Sequence, residues 1–300
     1  MYDVIVVGGG PAGLTAALYA CRGGKRVLMI EKGGFGGQMT YSPKIENYPG
    51  FSSVSGSELA DRMVEQVLAQ GAEVEVAKVV ALRDGDVKTV VTDTGAYTAR
   101  AVILATGAKH RLLGVPGEEK FIGDGISFCA VCDGAFYEGK TVAVIGGGNS
   151  ALQEALLLCQ TCKNVFVIQN LDGFTGEQRL IDRLLEQPNV QIYFSSTVTE
   201  FRGEKGLSSV CIADAHTGNV RELTVDGVFI AVGLAPENEA FSDFVRLENG
   251  YIQTDENGFS GVSGIFAAGD CRKKQVRQIA TAIADGAAAA LAACAYIEGR

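Results

Sequence analysis

The sequence predicts an α/β chain built from two strand–turn–helix units, the second inserted in the first, and three observations carry that expectation. A short apolar run meets a glycine-rich turn and then a helical pattern twice, over residues 3–20 and again over 141–158. Thirty-nine glycines stand against six prolines, and they gather in such turns rather than in low-complexity tracts. The 300 residues are 47% apolar, which is enough for two cores of ordinary size.

The first unit opens with a strand over residues 3–7, the turn Gly8-Gly9-Gly10-Pro11-Ala12-Gly13 and a helix from Leu14. Glycines at 8, 10 and 13 permit a tight turn, close backbone approach to a pyrophosphate and close helix–strand packing, with the helix N-terminus facing the phosphates. A second strand over 26–31 ends in Glu31, an acceptor for ribose hydroxyls. Gly-x-Gly-x-x-Gly alone says little, but the flanking strand, helix and acid make it a dinucleotide site. Gly36-Gly37-Gln38 and residues 45–51 read as polar loops, either a second wall of that site or ordinary surface turns. Residues 101–108 form a buried strand leaving through Ala105-Thr106-Gly107, and residues 111–117 read as the crossing to a second domain.

Ser127-Phe128-Cys129-Ala130-Val131-Cys132-Asp133-Gly134 follows that crossing. Cysteines two residues apart can close a small, exchangeable ring, and nearby charge can lower one thiol's pKa. Exchange needs a proton donor for the leaving sulfur, and a partly buried Asp133 fits that role. A zinc knuckle or two packed thiols remain open for such a pair in isolation.

The second glycine turn, Gly146-Gly147-Gly148-Asn149-Ser150-Ala151, repeats the opening signature and implies a duplicated nucleotide fold. The next strand, over 164–168, ends at Gln169-Asn170-Leu171, where NAD recognition favours an acid and NADP recognition favours arginines. Neither is present, and the nearest substitutes are Asp172 and Arg179. Cys159 and Cys162 form a second Cys-x-x-Cys without a following carboxylate, which reads as a packed helix end. His110 and His216 are the only histidines and read as surface or linker residues. A strand over 226–233 precedes the return to the first domain at 234–238, a strand over 264–268 ends in Gly269-Asp270, and an Ala-rich helix from about 278 to 296 closes the chain.

A net charge of -9 argues against general nucleic-acid binding. Eight scattered cysteines are expected of reduced thiols in the cytoplasm. The N-terminus runs directly into a strand and carries no signal-peptide pattern, no apolar run is expected to reach membrane-spanning length, and no metal site is expected. Residues 297–300, Ile-Glu-Gly-Arg, match a common engineered protease site and equally a polar helix end.

In order, Gly-Gly-Gly-Pro-Ala-Gly, Glu-Asn-Tyr-Pro-Gly-Phe, Ala-Thr-Gly-Ala, Cys-Ala-Val-Cys-Asp-Gly, Gly-Gly-Gly-Asn-Ser-Ala, Ala-Ala-Gly-Asp and Arg-Gln-Ile-Ala-Thr-Ala resemble the low-molecular-weight thioredoxin reductases over nearly the whole chain. Larger flavin disulfide reductases carry their cysteines in the N-terminal domain, whereas these precede the second turn. The resemblance implies two Rossmann-like domains of the glutathione-reductase type, an FAD domain of residues 1–114 and 246–300 and an inserted NAD(P)-like domain of residues 115–245. It implies FAD held by Gly8, Gly10, Pro11, Ala12, Gly13, Glu31, Gly37, Gln38, Asn47, Ala105, Thr106, Gly107, Gly269, Asp270, Arg277, Gln278 and Ile279. Cys132 would face the flavin, Cys129 would attack thioredoxin, and Asp133 would serve as the acid in a cytoplasmic homodimer.

The family also expects His-Arg-Arg and a further Arg for NADPH, where this chain has Gln169-Asn170-Leu171 and Thr175. That departure resembles the ferredoxin-linked subgroup, with Arg272, Lys273, Lys274 and Arg277 as a candidate docking patch or a solvated basic turn. An NADPH- or NADH-dependent enzyme with a rebuilt site, a deazaflavin-linked reductase and a non-catalytic redox-sensing flavoprotein are the competing readings.

Overall fold

A computed structural model describes residues 1–299. The chain divides into two compact units, Met1–Lys109 together with the chain from Ala235 onward, and His110–Leu234. Arg300, the last residue of the possible protease site, lies outside the described residues; Ile297 and Glu298 belong to the closing helix and Gly299 caps it at φ 74°.

In the first unit Tyr2–Val7 pairs in parallel with Val27–Glu31 on one side and Ala96–Leu104 on the other, and Glu73–Val76 extends the sheet beyond Val27–Glu31. Strands covered on both faces read as unbroken apolar runs. Val4, Ile5 and Val6 are accordingly fully buried. The long strand Ala96–Leu104 serves two partners: its start pairs antiparallel with Lys88–Thr92, and its end pairs in parallel with Ile265–Ala267. That second pairing brings the chain's late segment beside the exit of its first half. Helix Pro11–Arg22 packs against Ile279–Glu298 with small residues between them. A side-chain carbon at Gly286 would lie 2.2 Å from the Ala12 carbonyl oxygen, so only glycine allows the approach.

The closing helix corrects one expectation. Its 20 residues contain an 18-residue window of mean hydropathy 1.5, long and apolar enough by composition to cross a membrane. Alanine supplies that hydropathy, and Ala282, Ala289, Ala290, Ala293 and Ile297 are buried in the core formed with Pro11–Arg22 and the sheet.

In the second unit the parallel order is Val190–Tyr193, Asn164–Ile168, Thr141–Ile145, Gly227–Ile230 and Ile126–Ser127. Helix Asn149–Leu158 covers one face, and Ala151, Leu152, Ala155 and Leu158 meet Val142, Val144 and Val165 there. A three-stranded antiparallel sheet, Ser196–Arg202, Ser209–Asp214 and Val220–Thr224, covers the other with Val198, Phe201, Val210 and Ile212.

Candidate functional site

The Cys-x-x-Cys pair forms a disulfide, with its Cα atoms 5.3 Å apart, on the short helical turn Ala130–Asp133. Among the described residues no group of acids, cysteines or histidines is arranged to hold a metal, so the zinc alternative finds no ligands. Cys129 occupies the position just before that turn, where side chains accept from free backbone N–H groups. Its sulfur accepts the Cys132 N–H at 3.2 Å. In the reduced protein that bond favours a thiolate on Cys129. Asp133 is pushed above the usual carboxylate range by burial, while a hydrogen bond from Ser127 pulls it down. Its Oδ1 is buried without a partner. A carboxyl so placed keeps its proton to higher pH than a free one, which suits a proton donor.

The first glycine turn is shaped by its neighbours and open where a ligand would lie. A side-chain carbon at Gly8, whose φ is 110°, would sit 2.2 Å from the Ala105 carbonyl oxygen, and one at Gly13 would sit 1.9 Å from the Gly8 carbonyl oxygen. One at Gly10 would meet no atom within 4 Å. Gly10 precedes helix Pro11–Arg22 and no side chain caps that N-terminus, which leaves its first N–H groups for an anion. A side-chain carbon at Gly37 would lie 3.3 Å from Gly10 Cα, and one at Gly269 would lie 2.7 Å from Ala12 Cβ. Glu31 is partly committed, because its two oxygens accept the Gly9 and Gly33 N–H groups at 2.6 and 2.9 Å.

Gln38 donates to the Ala108 carbonyl, which ties its loop to the Ala105-Thr106-Gly107 exit. Asn47 donates to Gln278 at 3.2 Å, and Gln278 caps the closing helix ahead of Ile279. Asp270 is raised by burial, against the lowering effect of Lys274 and Arg277, and its Oδ1 is buried without a partner. Arg277 lays its guanidinium 4.4 Å from the Tyr251 ring centre. All the sequence-predicted cofactor residues therefore belong to the first unit. An open glycine cradle, an uncapped helix N-terminus and an orphaned carboxylate oxygen fit a dinucleotide with a polyol arm.

The second glycine turn has the same backbone signature, and at Gly148 a side-chain carbon would meet only the Thr175 hydroxyl, at 3.8 Å. A side-chain carbon at Gly147 would lie 2.4 Å from Gln169 Nε2, since the Gln169 side chain rests on that glycine and donates to the Gly173 carbonyl at 3.2 Å. Thr175 donates to the Gly147 carbonyl from its N–H at 2.9 Å and from its hydroxyl at 3.4 Å. Asn149 at the helix start donates from its side chain to the Glu177 carboxylate at 3.1 Å and accepts the Glu177 N–H at 2.7 Å. Asp172 and Arg179 are both exposed.

Several expectations change on contact with the structure. Arg272 and Lys274 are buried in ion pairs with Asp285, and exposed Lys273 pairs with Glu248, so this turn does not present a free basic patch. Asp285 also accepts the Gly269 N–H at 3.1 Å, which ties those charges to the cofactor-side turn. His110 stands where the chain passes from the first unit to the second, as a linker residue would, and is half-buried: it stacks on Phe128 at 4.5 Å, and burial pushes it down to about 4. Exposed His216 bonds Ser195 at 3.0 Å. Cys159 and Cys162 are buried free thiols, as a packed helix end requires. Asn238 went unnoticed in the sequence. Buried, it accepts from Thr106 and donates to the Gly250 and Cys271 carbonyls, joining segments remote in the chain. Only its amide type in an apolar stretch hinted at this.

A model of the pyridine nucleotide-disulphide oxidoreductase family matches residues 2–286. A thioredoxin reductase of Treponema pallidum is 45% identical over 299 residues, which cover 99% of this chain and 97% of that relative. One from Bacillus subtilis is 42% identical over 301 residues, covering 99% and 95%. The crystal structure of a thioredoxin reductase from Streptococcus pyogenes superimposes with a TM-score of 0.96 at 42% identity, covering 100% of this chain and 99% of that one.

Proposed function

The chain belongs to the low-molecular-weight thioredoxin reductases, within the pyridine nucleotide-disulphide oxidoreductases, and from that premise we propose that it carries electrons from reduced ferredoxin through Cys129 and Cys132 to the disulfide of a thioredoxin. It is a flavin disulfide oxidoreductase, and its cofactor is FAD. When bound, FAD links a one-electron or two-electron donor to two-electron disulfide chemistry. The turn from Gly8 to Gly13 would take the pyrophosphate, with Glu31, Gly37, Gln38, Asn47, Ala105, Thr106 and Gly107 around it. Asp270, Arg277, Gln278 and Ile279 would complete the site, Asp270 Oδ1 accepting from a hydroxyl of the polyol arm.

In the reduced enzyme the Cys132 N–H stabilises a thiolate on Cys129, the sulfur that attacks the substrate disulfide. Asp133 gives its proton to the leaving thioredoxin sulfur. Cys132 then gives its proton to Asp133 and attacks Cys129, which restores the enzyme disulfide and releases thioredoxin as one thiol and one thiolate that takes its proton from solvent. We place the enzyme in the cytoplasm as a homodimer. The six free thiols support the reducing compartment, and the dimer rests on the family resemblance.

The observation that carries the donor assignment is that Gln169-Asn170-Leu171 and Thr175 lack the basic residues NADPH requires. The test is anaerobic mixing of the purified enzyme with NADPH, NADH or reduced ferredoxin while flavin absorbance is followed. Ferredoxin is expected to bleach the flavin within seconds, and both nucleotides to leave it oxidised. Prompt bleaching by micromolar NADPH overturns the donor assignment and leaves thioredoxin reduction standing.

A further inference from the structure

The acid beside the disulfide is itself held by a residue that the exchange chemistry does not consume. Ser127 ends the strand Ile126–Ser127, whose partner Gly227–Ile230 is buried throughout, so its backbone is fixed by the sheet rather than by the loop that follows. The residue is 7% exposed. Its hydroxyl donates to Asp133 Oδ2 at 2.5 Å and accepts the Cys129 N–H at 3.1 Å. One hydroxyl hydrogen and one lone pair thereby tie the acid and the nucleophilic cysteine to the same sheet edge.

We propose that Ser127 is the positioning residue for the proton donor: it pins one oxygen of Asp133 and the amide of Cys129, and reserves the other Asp133 oxygen for the proton that moves in disulfide exchange. This rests on the role given to Asp133 above. In the first step the Cys129 thiolate forms a bond to one substrate sulfur, the substrate S–S bond breaks, and the proton on Asp133 Oδ1 goes to the departing sulfur. In the second, Cys132 loses its proton to the same oxygen, bonds to Cys129 and displaces the remaining substrate thiolate. Two electrons leave the enzyme dithiol, and Asp133 ends protonated as it began.

Few charges compete for control of this acid. On its own turn stand Cys129 and Cys132. The next turn, Gly134–Tyr137, brings Tyr137, pushed up to about 12 by burial and then by Asp133, Asp124 and Asp226. Helix Asn149–Leu158, packed on the Ala130–Asp133 turn, brings Glu154, pushed up to about 8 by burial. Tyr137 and Glu154 are therefore largely uncharged at pH 7, and the Ser127 hydroxyl is the group that favours the ionised acid.

The test uses dithionite-reduced holoenzyme mixed with oxidised thioredoxin in single turnovers from pH 5 to 9. Ser127→Ala is expected to slow exchange about tenfold. It should also move the alkaline limb up by roughly half to one pH unit, since loss of the hydroxyl raises the Asp133 pKa. Ser127→Thr keeps the hydroxyl and is expected to restore both within about twofold. Added to Asp133→Asn, Ser127→Ala is expected to cost less than about a further twofold, as for groups acting as a unit. Flavin content and spectrum serve as the control for folding. An unmoved limb in Ser127→Ala, or full additivity with Asp133→Asn, overturns the assignment of Ser127 and leaves the acid in place. Unchanged exchange in Asp133→Asn alone overturns the acid, and Ser127 with it.

Discussion

The two glycine turns of this chain share a backbone design and differ in what their surroundings do with it. At Gly10 a side-chain carbon would meet nothing within 4 Å and at its counterpart Gly148 only the Thr175 hydroxyl at 3.8 Å, while at Gly9 it would collide with Phe35 and at Gly147 with Gln169. Both turns lead into a helix without a side-chain cap at its N-terminus. The difference lies in the residues that follow the neighbouring strand. Glu31 accepts the Gly9 and Gly33 amides, while Gln169 donates to the Gly173 carbonyl, Thr175 donates to the Gly147 carbonyl and Glu177 donates its N–H to Asn149. At the tip of the strand beside its glycine turn the second unit thus carries an amide, Gln169, where the first carries an acid.

Matched substitutions break or sharpen this comparison, and the largest effect is expected at the turns themselves. Gly10→Val should weaken FAD binding on the order of a hundredfold, roughly 2.8 kcal/mol, because the branched side chain enters the ligand's place. Gly148→Val, at the equivalent position of the second turn, should leave turnover within about twofold, since no nucleotide approaches there. Flavin titration and single-turnover assays on the two variants check the pair, and equal sensitivity would erase the contrast.

A second contrast concerns buried carboxyls. Asp270 in the first unit and Glu154 in the second each have a buried oxygen without a partner, and in the proposed FAD site a cofactor hydroxyl would meet the first alone. Burial pushes Glu154 up to about 8, far above its value in an unfolded chain. A group raised on folding contributes stability below its unfolded pKa and loses it as pH rises through the folded one. Stability is therefore expected to fall between about pH 4 and pH 8 on this account, and Glu154→Gln should flatten that fall and gain about 1–3 kcal/mol at pH 9. Thermal unfolding against pH is the measurement, and a parallel loss in the variant would assign the slope elsewhere.

The smallest effect is expected on the surface near the first site. Lys273 is already paired with Glu248, and exposed pairs contribute little. Lys273→Glu should change ferredoxin-driven turnover by less than about threefold at 0.1 M salt. A larger, salt-sensitive loss would restore this turn as a docking surface.

How much of the site was legible follows from how local each signal is. The turn from Gly8 to Gly13 and the pair Cys129–Cys132 announce themselves because backbone approach and ring closure need particular residues at fixed short spacings. The missing basic residues after Ile168 were equally visible. Their consequence was not, because nothing in Gln169-Asn170-Leu171 says that the amide will lie on a glycine twenty-two positions earlier. Arg272 and Lys274 looked like a docking patch for the same reason: Asp285, which neutralises both, comes a helical turn and more later. Asn238 was missed because its partners lie far along the chain.

By itself the sequence determined the α/β class, the repeated strand–turn–helix units, the redox pair and its adjacent acid, since each depends on periodicity or on groups a few residues apart. Only the tertiary structure decided what lies on each glycine turn, which charges are spent on one another, and that Ser127 holds Asp133. Those outcomes depend on burial and on contacts between distant segments, and a side chain's hydrogen-bond partners and desolvation are set by where the chain folds rather than by its neighbours in the sequence.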